Sequence, residues 1–472
     1  MSFVSFSFAI LFTFTLAGRF LIGPTKVEKP YLVLLLVASL VFYGSFVPSY
    51  LLLLFFTTWV DFYAGKKIFE SRSDRARKNY LILSIGVNLG FLAYFKYSGF
   101  ILDGLGNLLG ILGVDSSWVP HLKIVLPIGI SFFTFQSMSY TIDIYRREIE
   151  PEQRYWRFLL FVSFFTHLVS GPIVRAKELI YQFDRRRKIR LEVWLQGLYL
   201  MIFGFFMKMV VADNLAVFVD QYWFRGGLVG MPAIVPWTMA LLFSCQIFAD
   251  FLGYSNIAMG AAYLLGFKLP LNFNNPYIAR SFRDFWSRWH ITLSRWIRDY
   301  LYISLGGNKG KGLRRFLVLM LTMVLAGLWH GASITFLVWG TLHGLALGLE
   351  RALGMQKPEG HRPVFLDIAW FLTVQAIVLM GWVFFRADST VQAFQFFKNM
   401  FGSPLEGTQI LKIAPAFLFV CPVFLIHLRG FLEERGWVKS PSILEKAVWG
   451  ACMFYFILTL YGKNNAFIYF QF

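Results

Sequence analysis

Two histidines, His290 and His330, are the residues of this chain best suited to acid–base chemistry. His330 lies in an apolar run that ends in GLWHG, and His290 follows a run rich in tryptophan and arginine. An ionisable side chain inside an apolar membrane segment is costly, which favours a functional role for His330 over a structural histidine bonded to a nearby carbonyl. Because burial disfavours the charged imidazolium, we expect a neutral His330 that acts as a general base.

The sequence around His290 has the period of an amphipathic helix. Over residues 282–300, aromatic and aliphatic side chains recur on one face, while Arg288 and Arg295 lie on the other. This pattern predicts a helix at a membrane surface, with Trp289 on its aromatic face. Arg288, Arg295 and Trp289 are therefore candidate substrate- or cofactor-binding residues. For His290, a catalytic role and a structural histidine stacked among indoles are both open.

A polar stripe runs through the apolar segment 236–266. Gln246, Asp250 and Tyr254 recur every four residues, which places them on one face of a helix. A carboxylate in a membrane segment must be paired, and an arginine of segment 280–298 is the partner we expect. The three residues are candidates for substrate binding, although a purely structural ion pair fits the pattern equally well.

Two weaker candidate sites contain fewer informative residues. His167 lies in the apolar segment 157–175 and is placed to line a cavity. The glycine-rich loop LGGNKGKG at 305–312 contains Asn308 and Lys309, and its backbone amides and lysines are able to hold phosphates. That loop lacks the GKS or GKT ending of a P-loop. The sequence contains no metal-ligand constellation and no Gly-x-Ser-x-Gly elbow, so no metal site is predicted.

The elements that position these residues are membrane helices. Of the 472 residues 57% are hydrophobic and only 15% are charged, and apolar runs of spanning length recur throughout, which predicts an all-α polytopic membrane protein. The net charge of +19 comes from basic residues in short loops between apolar runs. This is the positive-inside pattern of cytoplasmic loops, so we do not expect a nucleic-acid partner. The three cysteines suggest neither a disulfide framework nor a metal site.

The order of basic loops predicts eleven to twelve crossings, with both ends of the sequence outside the cytoplasm. Basic loop 66–78 is placed inside. Segment 157–175 is apolar but has basic sequence on both sides, so we expect it to enter the membrane and return, with a break at 170–172. No internal repeat or long linker is apparent, which predicts a single domain over residues 1–472.

Several motifs resemble one protein family. Sequence RSFRDFWSRWHITLSRWIRDYLYISLGGN from Arg280, followed by GLWHG, fits the pattern RSFxDFWxRWHIxLSxWxRDYLYIxLGGN. The segments LPIGISFFTFQSMSY and FFTHLVSGPI and the ending FIYFQF agree with it. The chain resembles the membrane-bound O-acyltransferase family, and within it the bacterial alginate O-acetylation branch, over nearly its whole length.

The resemblance implies a funnel-shaped bundle with interfacial and re-entrant helices and a central tunnel. It implies transfer of an acyl group, usually acetyl, from a cytoplasmic thioester such as acetyl-CoA to an acceptor outside, with no bound cofactor. His330 would be the catalytic histidine and His290 its helper. The expected partner is a separate extracytoplasmic, hydrolase-like (SGNH-type) acyltransferase, and the expected location is the bacterial inner membrane.

The ending FIYFQF adds one further candidate, Tyr469. An aromatic residue after a last span is typical of an interface anchor. The resemblance instead implies that such endings carry the acyl group, which would make Tyr469 the intermediate acceptor with His330 as its base.

Three alternatives to this function remain open. The first is D-alanyl transfer from a carrier-protein thioester to teichoic acid. The second is a proton-coupled transporter in which His330, His290 and Asp250 relay protons, and the third is a non-catalytic scaffold.

Overall fold

The computed structural model describes residues 1–22, 29–120, 124–169, 171–184, 190–223, 232–307, 309–310, 312–356, 363–402, 412–463 and 467–468. Throughout these residues the chain is helical or irregular and forms no strand. The predicted all-α class is therefore confirmed.

The helices of the first half of the chain are α1 Phe6–Ile22, α2 Lys29–Gly44, α3 Tyr50–Glu70, α4 Asp74–Ile111, α5 Ile130–Tyr145, α6 Tyr155–Ser163, α7 Ala176–Leu179, α8 Leu191–Phe205 and α9 Asp213–Trp223. A π-helical turn, Phe206–Ala212, joins α8 to α9. The helices of the second half are α10 Ile234–Leu264, α11 Phe282–Arg288, α12 Ile291–Trp296, α13 Leu313–His330, α14 Ile334–Ala352, α15 Val364–Arg386, α16 Thr390–Met400, α17 Ala416–Glu434 and α18 Ile443–Leu460.

Among the described helices, seven are long and apolar enough to cross a membrane. They are α4, the continuous run Leu191–Trp223, α10, α13, α15, α17 and α18, and the shorter α1 and α2 are also apolar. This matches the length of about 20 apolar residues that a bilayer requires. The chain is therefore a multi-pass membrane protein, while the total of eleven to twelve crossings stays a prediction.

The contacts divide the chain into two compact units. The first comprises Met1–Leu198 and Ala258–Pro270, and the second comprises Tyr199–Ile257 and Leu271–Phe472. Both histidines identified in the sequence belong to the second unit. The single domain expected over residues 1–472 stays a prediction.

In the first unit, segment 157–175 is too short in helical form to cross a bilayer. Helix α6 has nine residues and ends at Ser163, before the break predicted at 170–172. Nine residues rise about 14 Å, less than half of the hydrocarbon core. The chain from Phe164 to Val169 continues without regular helix and is buried. The segment therefore does not cross as one helix, as predicted, and its return to the same side stays a prediction.

Candidate active site

The sequence around His290 forms two short helices, and the single helix predicted over 282–300 is wrong in this respect. Helix α11 ends at Arg288, and His290 has a left-handed backbone with φ 41° before α12 begins. The break is stabilised from outside: the Ile291 N–H donates to the Asn272 carbonyl at 2.9 Å, and the Asn274 N–H donates to the Arg288 carbonyl at 2.9 Å. These backbone bonds redirect the chain at the histidine.

The aromatic face of this segment packs against the rest of the protein, and the predicted position of the segment at a membrane surface stays a prediction. Phe282, Phe285 and Trp289 are fully buried. The Trp289 ring lies 4.6 Å from that of Trp382 and 5.1 Å from that of Phe273. Large aromatic side chains are stabilised by contacts with other aromatic rings. The helical period alone therefore does not distinguish a face that packs against protein from one that faces lipid.

His290 and His330 converge in the interior of the second unit. Their ring centroids are 6.5 Å apart, and both side chains are buried. His330 is the last residue of α13 and contacts the rings of Trp339 at 5.0 Å and Phe385 at 5.3 Å. His290 packs against Phe251 at 4.6 Å. Two imidazoles at this separation can act on opposite ends of one small reacting group.

His290 is neutral at physiological pH. Burial lowers the pKa of its imidazole from the ordinary 6.5 to about 3. A group that binds a proton so weakly is a poor store for one, but its ring can still donate or accept a hydrogen bond. This property suits His290 to orienting or polarising a substrate.

Two buried indoles, Trp339 beside His330 and Trp382 beside Trp339, were not identified from the sequence. Trp339 and Trp382 are almost fully buried, and their rings lie 6.4 Å apart. The Nε1 atom of each has no acceptor among the described residues. Because buried donors are normally bonded, these two N–H groups are candidate donors to a bound molecule. The sequence feature that could have identified them is a tryptophan inside each of the apolar segments that form α14 and α15.

Asp250 pairs with a lysine, not with the arginine predicted from the sequence. The Lys208 ammonium lies 2.8 Å from Asp250 Oδ1 and 2.7 Å from Asp213 Oδ1. All three side chains are buried. Lys208 and Asp213 are charged residues in the interior of the apolar run 191–223, and this feature of the sequence could have indicated the pairing.

A close helix crossing brings Lys208 to Asp250. A Cβ atom on Gly204 would lie 2.7 Å from the Gly253 carbonyl oxygen, and a Cβ on Gly253 would lie 2.8 Å from the Gly204 carbonyl oxygen. Only glycine at both positions lets these backbones approach so closely. The π-helical turn that follows Gly204 carries Lys208. Here the helix deviates next to a buried charge, as π turns often do at functional sites.

The last described residues, Phe467 and Ile468, lie on this charge cluster. The Ile468 N–H donates to Asp250 Oδ2 at 2.7 Å. The Phe467 ring packs 4.3 Å from Tyr254 and 5.6 Å from Phe251, which itself contacts His290. Tyr469 follows Ile468 in the sequence but lies outside the described residues.

The other members of the predicted polar stripe, Gln246 and Tyr254, are also buried. Tyr254 has its ring 5.7 Å from the Lys208 ammonium. Gln246 is buried, and its Oε1 has no donor among the described residues. The structure thus brings Gln246, Asp250 and Tyr254 to one buried face.

The remaining candidates have simpler surroundings. Arg288 pairs with Asp284 at 2.7 Å and with Glu434 at 2.5 Å, and Arg295 is exposed. His167 belongs to the other unit, where its Nε2 lies 3.0 Å from the Phe161 carbonyl oxygen.

The backbone conformation of the glycine-rich loop explains why it contains so many glycines. Lys309 is exposed, and Asn308 lies outside the described residues. The glycines of this loop adopt left-handed backbone at positions 306, 307, 310 and 312. Glycine is the residue that accepts such φ values without strain. Its role in phosphate binding stays a prediction, and within the described residues no group of three metal-ligating side chains occurs.

Comparison with known proteins agrees with the resemblance. The membrane-bound O-acyltransferase family model matches residues 152–358. The chain is 36% identical to the probable alginate O-acetylase AlgI of Pseudomonas aeruginosa, over 94% of this chain and 84% of that protein. It is 36% identical to the peptidoglycan O-acetyltransferase of Helicobacter pylori, over 80% of this chain and 75% of that protein.

A weaker likeness covers half of the chain. The chain is 30% identical to the teichoic acid D-alanyltransferase of Streptococcus thermophilus, over 48% of this chain and 57% of that protein. The match to the acetylases over most of both chains, together with the family model, shows that the chain is an O-acyltransferase of the membrane-bound O-acyltransferase family.

Proposed function

We propose that this O-acyltransferase takes an acetyl group from a cytoplasmic thioester, acetyl-CoA, and passes it to an acceptor outside the membrane for exopolysaccharide O-acetylation. The observation that carries the proposal is the buried pair of His290 and His330, whose ring centroids are 6.5 Å apart. The identity to alginate and peptidoglycan O-acetylases supports acetyl as the group and a polysaccharide as the final acceptor.

The reaction we propose is attack of a hydroxyl oxygen on the thioester carbonyl, with His330 as general base. The new carbon–oxygen bond forms, the carbon–sulfur bond breaks, and the hydroxyl proton passes through His330 to the departing thiolate, which leaves as a thiol. The position of His330 at the end of α13, walled by Trp339 and Phe385, keeps bulk water from the base.

His290 and the two indoles are suited to donate hydrogen bonds to the carbonyl oxygen of the thioester. The neutral His290 ring and the N–H groups of Trp339 and Trp382 are hydrogen-bonding groups in an apolar wall. Donors fixed in a low-dielectric site stabilise the negative charge that develops on the oxygen as attack proceeds. We assign them this role in the proposed reaction.

Tyr469 is the hydroxyl that we propose as first acceptor. The residues directly before it, Phe467 and Ile468, are held against Asp250 and Phe251 in the unit that contains both histidines. The phenol has an ordinary pKa near ~10, so it needs a base to attack at neutral pH. The aryl ester would then react with a hydroxyl of the partner, whose proton replaces the acetyl group on the phenol.

The partner we propose is an extracytoplasmic, hydrolase-like acyltransferase, and the location is the bacterial inner membrane. A hydrolase-like serine would accept the acetyl group from the tyrosyl ester and transfer it to the polysaccharide. The aryl ester retains enough leaving-group ability for this second step.

The decisive experiment uses the protein in nanodiscs with labelled acetyl-CoA. We expect thiol release and label on Tyr469 in the wild type, and a loss of about 10²–10⁴-fold in rate for His330→Ala. His427→Gln is the matched control, because His427 is a buried histidine of the same unit whose Nδ1 lies 2.7 Å from the Val423 carbonyl oxygen. Equal rates in wild type and His330→Ala would refute the assignment of the base. Reaction with a D-alanyl carrier protein but not with acetyl-CoA would refute the donor.

A further inference from the structure

The described end of the chain is held within the protein and does not face lipid. Phe467 and Ile468 are 0% and 2% exposed. Farther back, the Gly462 N–H donates to the Met209 carbonyl at 2.8 Å. A residue that anchors a span at the membrane interface keeps one side in contact with lipid, which these two residues do not.

The carboxylate that receives the Ile468 N–H belongs to a buried cluster of charged groups. One ammonium, that of Lys208, lies between the carboxylates of Asp213 and Asp250. A buried carboxylate requires hydrogen-bond donors to offset its lost hydration. The Ile468 N–H is such a donor, and its 2.7 Å bond to Asp250 Oδ2 has the length of a charge-assisted bond.

One of the docked residues packs against a neighbour of His290. Phe467 contacts Phe251, and Phe251 contacts His290 at 4.6 Å in an edge-to-face arrangement. We propose that Asp250, held by Lys208, is the docking site for the chain's own segment 467–468 and so acts as a positioning residue for the proposed acyl carrier Tyr469, which follows that segment in the sequence. The position of Tyr469 matters only if the proposed acyl-carrier role is correct, whereas the docking stands without it.

Hydrogen exchange of the Ile468 amide tests the docking directly. In nanodiscs the peptide that contains residues 467–468 should exchange slowly in the wild type. Asp250→Leu removes the acceptor and leaves the Lys208–Asp213 pair intact, so we expect exchange of this amide to accelerate at least tenfold. Unchanged protection in Asp250→Leu would overturn the docking.

A second variant removes the donor without touching the charge cluster. Ile468→Pro lacks the backbone N–H, and Ile468→Val is its matched control with the N–H retained. We expect Ile468→Pro to lower kcat for acyl transfer with little change in the KM for acetyl-CoA, and Ile468→Val to behave as the wild type. A purely structural defect would instead reduce the amount of folded protein.

Combining the two changes shows whether they act through one bond. If Asp250 and the Ile468 N–H form one latch, the double variant Asp250→Leu/Ile468→Pro loses no more activity than either single variant. Losses that multiply would overturn the inference. If Tyr469→Phe retains full activity while Asp250→Leu still releases the amide, the acyl-carrier role fails and the docking stands. The two failures are therefore distinguishable.

Discussion

Replacing Lys208 by methionine should destabilise the protein more than any other conservative change in its span. The ammonium lies 2.7 Å and 2.8 Å from two buried carboxylates, and its side chain is only 2% exposed. Methionine keeps the length of the side chain but removes its charge. Asp213 and Asp250 are then left buried without their cation, and breaking a buried ion pair in this way costs about 3–5 kcal/mol.

Neutralising all three residues separates the cost of the uncompensated charges from any effect of packing. In Lys208→Met/Asp213→Asn/Asp250→Asn no buried charge remains, and exchanging a complete buried ion cluster for neutral groups of similar volume is often close to neutral. We therefore expect the triple variant to regain most of the stability that the single variant loses. Reversible unfolding in mixed micelles by titration with a denaturing detergent measures both changes.

Two results would refute this reasoning. If the free energy of unfolding of Lys208→Met lies within about 0.5 kcal/mol of the wild-type value, the lysine does not stabilise the buried carboxylates. If the triple variant is no more stable than the single one, the loss comes from packing around the side chain and not from uncompensated charge.

Three further predictions concern other parts of the chain. Trp339→Phe removes a proposed donor to the carbonyl oxygen, so acyl transfer should fall about 10²-fold or more, whereas Trp370→Phe, which removes a buried indole N–H elsewhere, should leave the rate near the wild-type value; equal rates would exclude Trp339 from the reaction. Burial lowers the pKa of His290 to about 3 in the folded protein, against 6.5 in the unfolded chain, so its contribution to stability is complete above pH 6.5 and is lost as the pH falls towards 3. Lowering the pH from 7 to 4 should therefore reduce the free energy of unfolding of the wild type more than that of His290→Gln, and equal reductions would contradict this. Cysteines introduced at Glu150 and Lys177 should react with an impermeant thiol reagent from the same side, and labelling from opposite sides would contradict the re-entrant prediction.

The sequence was sufficient where a single residue was out of place in its surroundings. His330 in an apolar run and the stripe of Gln246, Asp250 and Tyr254 are both detectable from local order alone. The all-helical class follows in the same way, because backbone groups in lipid must be satisfied within the segment.

The features that could not be predicted from the sequence depend on contacts between distant segments. The break at His290 is stabilised by backbone bonds from Asn272 and Asn274, which do not alter the helical period of the segment that they bend. The pairing of Asp250 with Lys208 depends on the approach of Gly204 to Gly253, a contact between separate helices. Arginine was expected because it is abundant nearby, yet distance in the fold decided the partner.

The length of α4 has a consequence for the membrane in which the protein works. Its 38 residues rise about 57 Å, against about 40–45 Å for a bilayer with its headgroups. Charges in its first turn, at Asp74 and Arg77, favour keeping that end among the headgroups. To remain within the bilayer α4 must incline by about 40°, the upper limit seen for spanning helices. Thicker membranes would let it stand more upright, so hydrophobic mismatch should change its inclination, and lipids of different acyl-chain length should alter the protein's thermal stability.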